Sequence, residues 1–189
     1  METAKKTHYS TNDGFRIISI TEAIERAQYN EAGIAMTPLG SYEIAGQEID
    51  ILLVSMQPLK AVSAHLHLEG GESQIALTPV RAIFGRPYKN DDGDYTFTPD
   101  GRVEFEVIVN RIVSPQEIVS IPKGFVHGYG NPSDRHNAHI IFNLPHTHTT
   151  AEDKLLANSD VGDLSSALTE EEYQRYSLQA GFPAMLPIQ

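Results

Sequence analysis

Three histidines and one glutamate in this chain have the types and spacing to hold a metal ion. His65 and His67 stand one residue apart in Ala64-His65-Leu66-His67, so on a strand both project from one face, and Glu72 follows five residues after His67. His127 belongs to the stretch Ile118 to Asn131, Ile-Val-Ser-Ile-Pro-Lys-Gly-Phe-Val-His-Gly-Tyr-Gly-Asn. There an apolar strand runs into a Pro-x-Gly turn, and the histidine leaves that turn on a second strand, which holds it in a tight hairpin. Three imidazoles and a carboxylate can therefore converge. Neutral imidazole together with carboxylate suits a divalent first-row ion (zinc, iron, manganese, nickel or cobalt), with open coordination positions for a substrate.

The elements that must position these residues are mostly short strands. Ala61 to His67 alternates, Glu69-Gly70-Gly71 is a turn, and the chain returns as Glu72-Ser-Gln-Ile-Ala-Leu, so His65, His67 and Glu72 flank one hairpin. Val80 to Phe84 continues the sheet. Arg102 to Val113 sets Val103, Phe105, Val107 and Val109 against Glu104, Glu106, Ile108 and Asn110, the pattern of a half-buried strand. Ala138 to Leu144 closes the sheet, with His139, Ile141 and Asn143 on one face and Ile140, Phe142 and Leu144 on the other. Before the histidine strand, Ile44 and the run Ile49, Ile51, Leu53 and Val54 predict two strands separated by Gly46 and Gln47. The segment from Gly85 to Gly101 is rich in Asp, Asn, Gly and Pro and reads as a long loop with a short hairpin around Tyr95 to Thr98, a candidate lid.

At the ends the pattern changes. Met1 to Gly14 is polar and reads as a loose arm. Phe15 to Ile18 is a candidate strand, and Ser19 with Glu22 has capping-box spacing for a helix over about Ile20 to Gln28. Thr149 with Glu152 and Thr169 with Glu172 repeat that spacing, predicting helices at about Ala151 to Asn158 and Glu170 to Gln179. Three segments result: an arm over 1–14, a β-barrel domain over 15–145, and a helical extension over 146–189 packed on the barrel. The apolar tail from Phe182 to Ile188 and the arm are suited to pairing barrels in a homodimer.

Composition narrows the class. A chain of 189 residues is long enough for one domain with a substantial core. Its formal net charge of -11, with only 14 Lys and Arg spread along it, argues against nucleic acid or an anionic membrane as partner. There is no cysteine, so any metal is bound through His, Asp or Glu. The first residues lack the apolar run of a signal peptide, and no apolar stretch approaches the roughly 20 residues of a membrane span, so the expected location is the cytoplasm.

Many short strands separated by Gly and Pro turns predict an all-β fold, a jelly roll or barrel. At this point the residues resemble the cupins, whose two motifs are written G-x5-H-x-H-x3,4-E-x6-G and G-x5-P-x-G-x2-H-x3-N. His65-Leu66-His67, four intervening residues and Glu72 match the centre of the first, and Pro122 to Asn131 match the second from its proline onward. The motif glycines fall instead on Leu59, Pro79 and Gln116, so turn geometry at those corners is expected to differ. The resemblance covers about Ile49 to Leu144. It implies a cupin-type jelly-roll barrel in which His65, His67, Glu72 and His127 bind one metal ion, with Asn131 a structural residue of the turn. A weaker resemblance, to the metal-free deoxysugar epimerases, rests on Ile-Pro-Lys-Gly-Phe-Val-His-Gly and lacks the Arg-Gly-x-His context before His65.

Among the remaining polar residues, Tyr129 lies two past His127 and shares its face on a regular strand. His139 is aimed at the interior by alternation. Arg81 can hold a carboxylate or phosphate, although a strand arginine more often forms an outer salt bridge. These three are the candidate substrate contacts. His146 and His148 read as a solvated connection, and Asp91, Asp92 and Asp94 as a solvated turn without calcium-loop spacing. Two chemistries suit the ligand set: iron(II)-directed dioxygen chemistry, common among resembling cupins, and Lewis-acid proton transfer, as in sugar isomerases and lyases of the same family. Ile75, Leu77, Ile83, Phe105, Phe125, Ile141 and Phe142 as wall residues would favour an aromatic, enol or diketone substrate and hence a dioxygenase with iron, with manganese, nickel, cobalt or zinc as other occupants. A non-catalytic small-molecule-binding cupin is the reading from a different class.

Overall fold

A computed structural model describes residues 9–10, 16–17, 19–44, 46–144, 154–158, 163–164 and 166–178. Two five-stranded antiparallel sheets lie face to face. One contains β3 (Ile34–Ile44), β4 (Gln47–Met56), β6 (Gly71–Ala76), β9 (Ile118–Ile121) and β11 (Asn137–Leu144), in the order β3-β4-β11-β6-β9. The other is built from β5 (Ala61–His67), β7 (Val80–Pro87), β8 (Phe105–Val113), β10 (Val126–Gly130) and β12 (Lys154–Leu156), in the order β12-β5-β10-β7-β8. From β4 to β7 and from β8 to β12 consecutive strands alternate between the sheets, the connectivity of a jelly roll, whereas β3 pairs with β4 and β7 with β8 within one sheet. A separate two-stranded ribbon pairs β1 (Tyr9–Ser10) with β2 (Arg16–Ile17), so part of the expected loose arm is strand.

Three apolar clusters follow from side-chain alternation. Met56, Ala76, Val80, Ala82, Val113, Ile121 and Tyr129 come from both sheets and fill the space between them. Outside the β5–β10–β7 sheet, Ala64, Leu66, Ile83, Val103, Phe105 and Val126 form a second cluster with Ala157. Outside the other sheet, Leu53 and Ala138 pack under Ala23 of α1 (Ile20–Glu25), whose N-terminus is capped by Ser19 as its spacing predicts. Tyr95, in the segment after β7, and Val103, just beyond that segment, pack onto the outer cluster. Five of the seven expected wall residues face away from the interior. Ile83 and Phe105 belong to one outer cluster, Leu77 to the other, Ile75 lies between inward Gln74 and Ala76, and Phe142 lies between inward Ile141 and Asn143. Ile141 and Phe125 remain inside.

In the C-terminal region one of the two expected helices is formed, and the described residues of the other are not helical. Thr169 and Glu172 do cap α2 (Glu170–Leu178), with Glu172 N–H donating to Thr169 Oγ1 at 3.2 Å and Thr169 N–H to Glu172 Oε2 at 2.9 Å. Where a helix over 151–158 is expected, Lys154–Leu156 is a strand on the outer edge of β5. That edge would otherwise leave backbone donors and acceptors unpaired beside buried side chains, and satisfying them outweighs a local capping preference. Beyond it, Leu164 crosses the outer face of β10. A Cβ on Gly128 would press on Leu164 and Ala64, and one on Gly130 would collide with the Leu164 carbonyl. The Gly-Tyr-Gly pattern thus makes room for the crossing segment.

Turn geometry at two of the substituted motif glycines is retained. Leu59 has φ 56° and Gln116 φ 71°, both in the left-handed region that glycine prefers. Each follows a proline and sits third in a turn closed by an i to i+3 hydrogen bond, Lys60 N–H to Gln57 O at 3.2 Å and Glu117 N–H to Ser114 O at 3.1 Å. Proline sets the second position of such a turn, so the chain accepts a strained residue at the third.

Candidate metal centre

His65 and His127 are direct partners across the β5–β10 ladder, and His67 lies two residues further along β5. The ladder contains a bulge: His127 pairs with His65, whereas Tyr129 pairs with Val62, two steps on one strand against three on the other. The extra residue reverses the alternation of β5, so that Val62 and the two histidines all face inward while Ala64 and Leu66 face out. The bulge also places the Ser63 carbonyl 2.8 Å from His65 Nδ1. His127 Nδ1 has the same kind of partner, the Phe125 carbonyl at 3.2 Å. Because a carbonyl can only accept, both rings carry the proton on Nδ1, and the lone pair is on Nε2.

One nitrogen from each of His65, His67 and His127 lies within 4.8 Å of the others, and all three side chains are buried. Glu72 closes the cluster from the opposite sheet. Its Oε2 is 3.8 Å from His67 Nε2 and its Oε1 is 3.8 Å from His127 Nε2. Burial, reinforced by the neighbouring His127, lowers the pKa of His65 to about 3, so that ring is neutral and able to ligate at ordinary pH. Three imidazoles, two of them with Nδ1 held by a backbone carbonyl, facing one carboxylate are the donor set of a divalent first-row ion, and the residues fit one.

Tyr129 is inward and buried, with its ring 5.8 Å from that of His127; the outward-facing glycines on either side leave its alternation intact. Burial first, and then the charge of Glu72, raise its pKa well above the usual phenol range. His139 lies one layer deeper, its ring 5.4 Å from that of Tyr129, and burial lowers its pKa to about 4. Arg81 is not brought to the site. It leaves β7 on the face opposite Val80 and Ala82, close enough to Glu172 of α2 to contribute to lowering that carboxyl's pKa. His146 and His148 lie outside the described residues.

Sequence reading missed a polar row beside Glu72. Asn143 pairs with Glu72 on one side and with Asp50 on the other, so all three project from one face, into the barrel. Asn143 and Asp50 are both buried, and Ser41 Oγ donates to Asp50 Oδ1 at 2.5 Å. Gln74, also inward, donates from Nε2 to Glu72 Oε1. The signal was present in the alternation of Asn143 with His139 and Ile141, but the pairing that places Asp50 beside them is not local. Asn131, 0% exposed, ties the turn after β10: its Nδ2 donates to the carbonyls of Met56, Gln57 and Arg135 at 3.2, 3.0 and 2.6 Å.

No family model matches the sequence, and no curated protein is similar to it at a significant level. Solved structures do share the architecture. CapF, in complex with the inhibitor 3-isopropenyl-tropolone, superposes with a TM-score of 0.52 at 16% identity over 70% of this chain, which spans only 33% of CapF. An uncharacterized conserved protein with a double-stranded β-helix domain from Klebsiella pneumoniae subsp. pneumoniae superposes with a TM-score of 0.50 at 12% identity, over 76% of this chain and 98% of that one. At such identities the likeness is one of fold.

Proposed function

We propose that this chain, whose barrel is that of the cupin superfamily, is a mononuclear metal-dependent enzyme that acts on a small polar organic substrate. His65, His67, His127 and Glu72 hold one divalent ion. The observation that carries this reading is the pair of Nδ1–H bonds to the Ser63 and Phe125 carbonyls, which commits the Nε2 lone pairs of His65 and His127 to the space shared with His67 and Glu72. A surface pair of histidines has no need of such orientation.

When bound, the ion supplies Lewis acidity toward a carbonyl or hydroxyl oxygen and, as iron(II), a centre for dioxygen chemistry. The chain's own groups favour the first use. Tyr129 keeps its phenolic proton and can donate a hydrogen bond from Oη, and Asp50 and Asn143 offer oxygen acceptors on the Glu72 side. The interior therefore recognises hydroxyl and carbonyl groups, which suits proton transfer of the isomerase, epimerase or lyase kind. A dioxygenase is the second reading, favoured by the three-histidine, one-carboxylate donor set and by the inward Ile141 and Phe125, although the outward turn of the other five apolar residues removes most of the aromatic wall.

Elemental analysis of protein purified without added metal or affinity histidines, beside a His127→Ala variant, tests the proposal. Near-stoichiometric metal lost in the variant supports it, and oxygen uptake with phenols and diketones then separates the two chemistries. Absence of bound metal in the wild type, even after anaerobic Fe(II) or Mn(II), overturns it.

A further inference from the structure

Below the three histidines, the barrel holds a second set of buried polar groups that the metal centre itself does not use. Glu72, Gln74 and Ala76 alternate along β6, and all three face inward. Gln74 donates from Nε2 to Glu72 Oε1, and it lines one cavity with Tyr129, whose buried hydroxyl has no hydrogen-bond partner among the described residues. The Tyr129 ring then lies against His139, 5.4 Å between centroids. His139 is 1% exposed, and neither of its ring nitrogens has a hydrogen-bond partner among the described residues. A neutral imidazole has one donor and one acceptor, and leaving both unmet inside a barrel is costly.

Gln74, Tyr129 and His139, together with the aliphatic side chains of Ala76, Val80 and Val113, line a cavity with about 10 Å³ open to the centre of a water molecule. That is room for about one water, and the three polar side chains supply the two to four partners a buried water requires. We infer that this cavity is a binding site for a single water that bridges Gln74, Tyr129 and His139, a hydrogen-bonded relay that orients Glu72 toward the histidines through Gln74. Gln74 and His139 are thus positioning residues for the metal centre, an assignment that rests on the metal-binding reading above. The physical need is clear in the geometry. The two oxygens of Glu72 address two different histidines, each at 3.8 Å, and a carboxylate free to rotate about its side chain would hold neither position. Partners that orient a ligand in this way typically change metal affinity 10–100-fold when removed.

The test is titration of the full-length protein with Co(II), followed by its visible absorption, for the wild type and for Gln74→Met, His139→Leu and His139→Gln, with thermal melting of each metal-free protein as control. Expected are one Co(II) per wild-type chain, affinity lower by about 10–100-fold and an altered spectrum in Gln74→Met, a smaller loss in His139→Leu, and recovery in His139→Gln, which can still bond a water. Wild-type affinity and spectrum in Gln74→Met overturn the relay and leave the metal centre standing. A wild type that binds no Co(II) overturns both. A crystal structure of the wild type checks the water without any variant: density within hydrogen-bond distance of the His139 ring is expected, and a dry cavity overturns that part of the relay.

Discussion

His65 and His127 sit directly opposite each other on neighbouring strands, ring centroids 4.4 Å apart, because one extra residue in β5 turns His65 inward at the level of His127. Two imidazoles so close gain from an ion placed between them. Replacing either with alanine should therefore lower metal affinity by more than the roughly 10–100-fold typical of an outer partner. Equilibrium dialysis against Zn(II) or Mn(II) measures this, and unchanged occupancy in both variants would remove the pair from the site.

Metal should also stabilise the fold, since a ligand that binds only the native state adds about 2.7 kcal/mol at 100 times its Kd. For a domain of this size that corresponds to a rise in melting temperature of about 5–10 °C. Differential scanning calorimetry with and without a chelator reads the shift, which should vanish in His127→Ala.

Acid should destabilise the metal-free protein in a defined window. His65 and His139 are held neutral by burial, with pKa values lowered to about 3 and about 4; His127, Lys154 and His67 add to the lowering at His65, while Ser63 at the first and Glu72 at the second oppose it. Below about pH 6.5 the unfolded chain takes up protons that the folded chain refuses, so stability falls with falling pH. Each histidine contributes about 1.4 kcal/mol per pH unit, down to about pH 4 for His139 and about pH 3 for His65. Urea denaturation in chelator between pH 7 and pH 4.5 should show this slope, and His139→Gln should reduce it by one group's share.

Two strained turns offer a gain in stability. Leu59 and Gln116 hold positive φ without being glycine, at a cost of roughly 1–2 kcal/mol each. Glycine relieves that strain but loses more entropy on folding, roughly 0.5–1 kcal/mol. Leu59→Gly and Gln116→Gly should each stabilise by about 0.5–1 kcal/mol net, measured as a higher denaturant midpoint at unchanged slope.

Gly130 should tolerate no side chain, because a Cβ there collides with the Leu164 backbone. Gly130→Ala is expected to cost about 1–3 kcal/mol, the usual range for overpacking, and to loosen the segment that crosses β10. Limited proteolysis should then cut near Leu164 faster than in the wild type, while an unchanged cleavage pattern would separate the crossing from the glycine.

His65, His67, Glu72 and His127 were legible in the sequence because the relevant physics is local. Alternation puts two histidines on one face, Glu69-Gly70-Gly71 returns the chain with Glu72, and Pro122-Lys123-Gly124 aims His127, whatever the rest of the molecule does. The same local rule placed His139, Ile141 and Asn143 together. Which face of each strand is the inside was not local. Ile83 and Phe105 carry the alternation of core residues and are core residues, but the cluster they join is the outer one, because a covering loop and the Ala157 region make a second apolar surface there. Tertiary pairing alone also decided that Lys154–Leu156 is a strand, that Asp50 stands beside Asn143 and Glu72, and that the β5 bulge turns His65 inward. A residue's type and spacing determine what it can bind, whereas the partner strand determines where it points, since unpaired backbone at a sheet edge and apolar surface on a sheet face must be satisfied by whatever chain lies across from them.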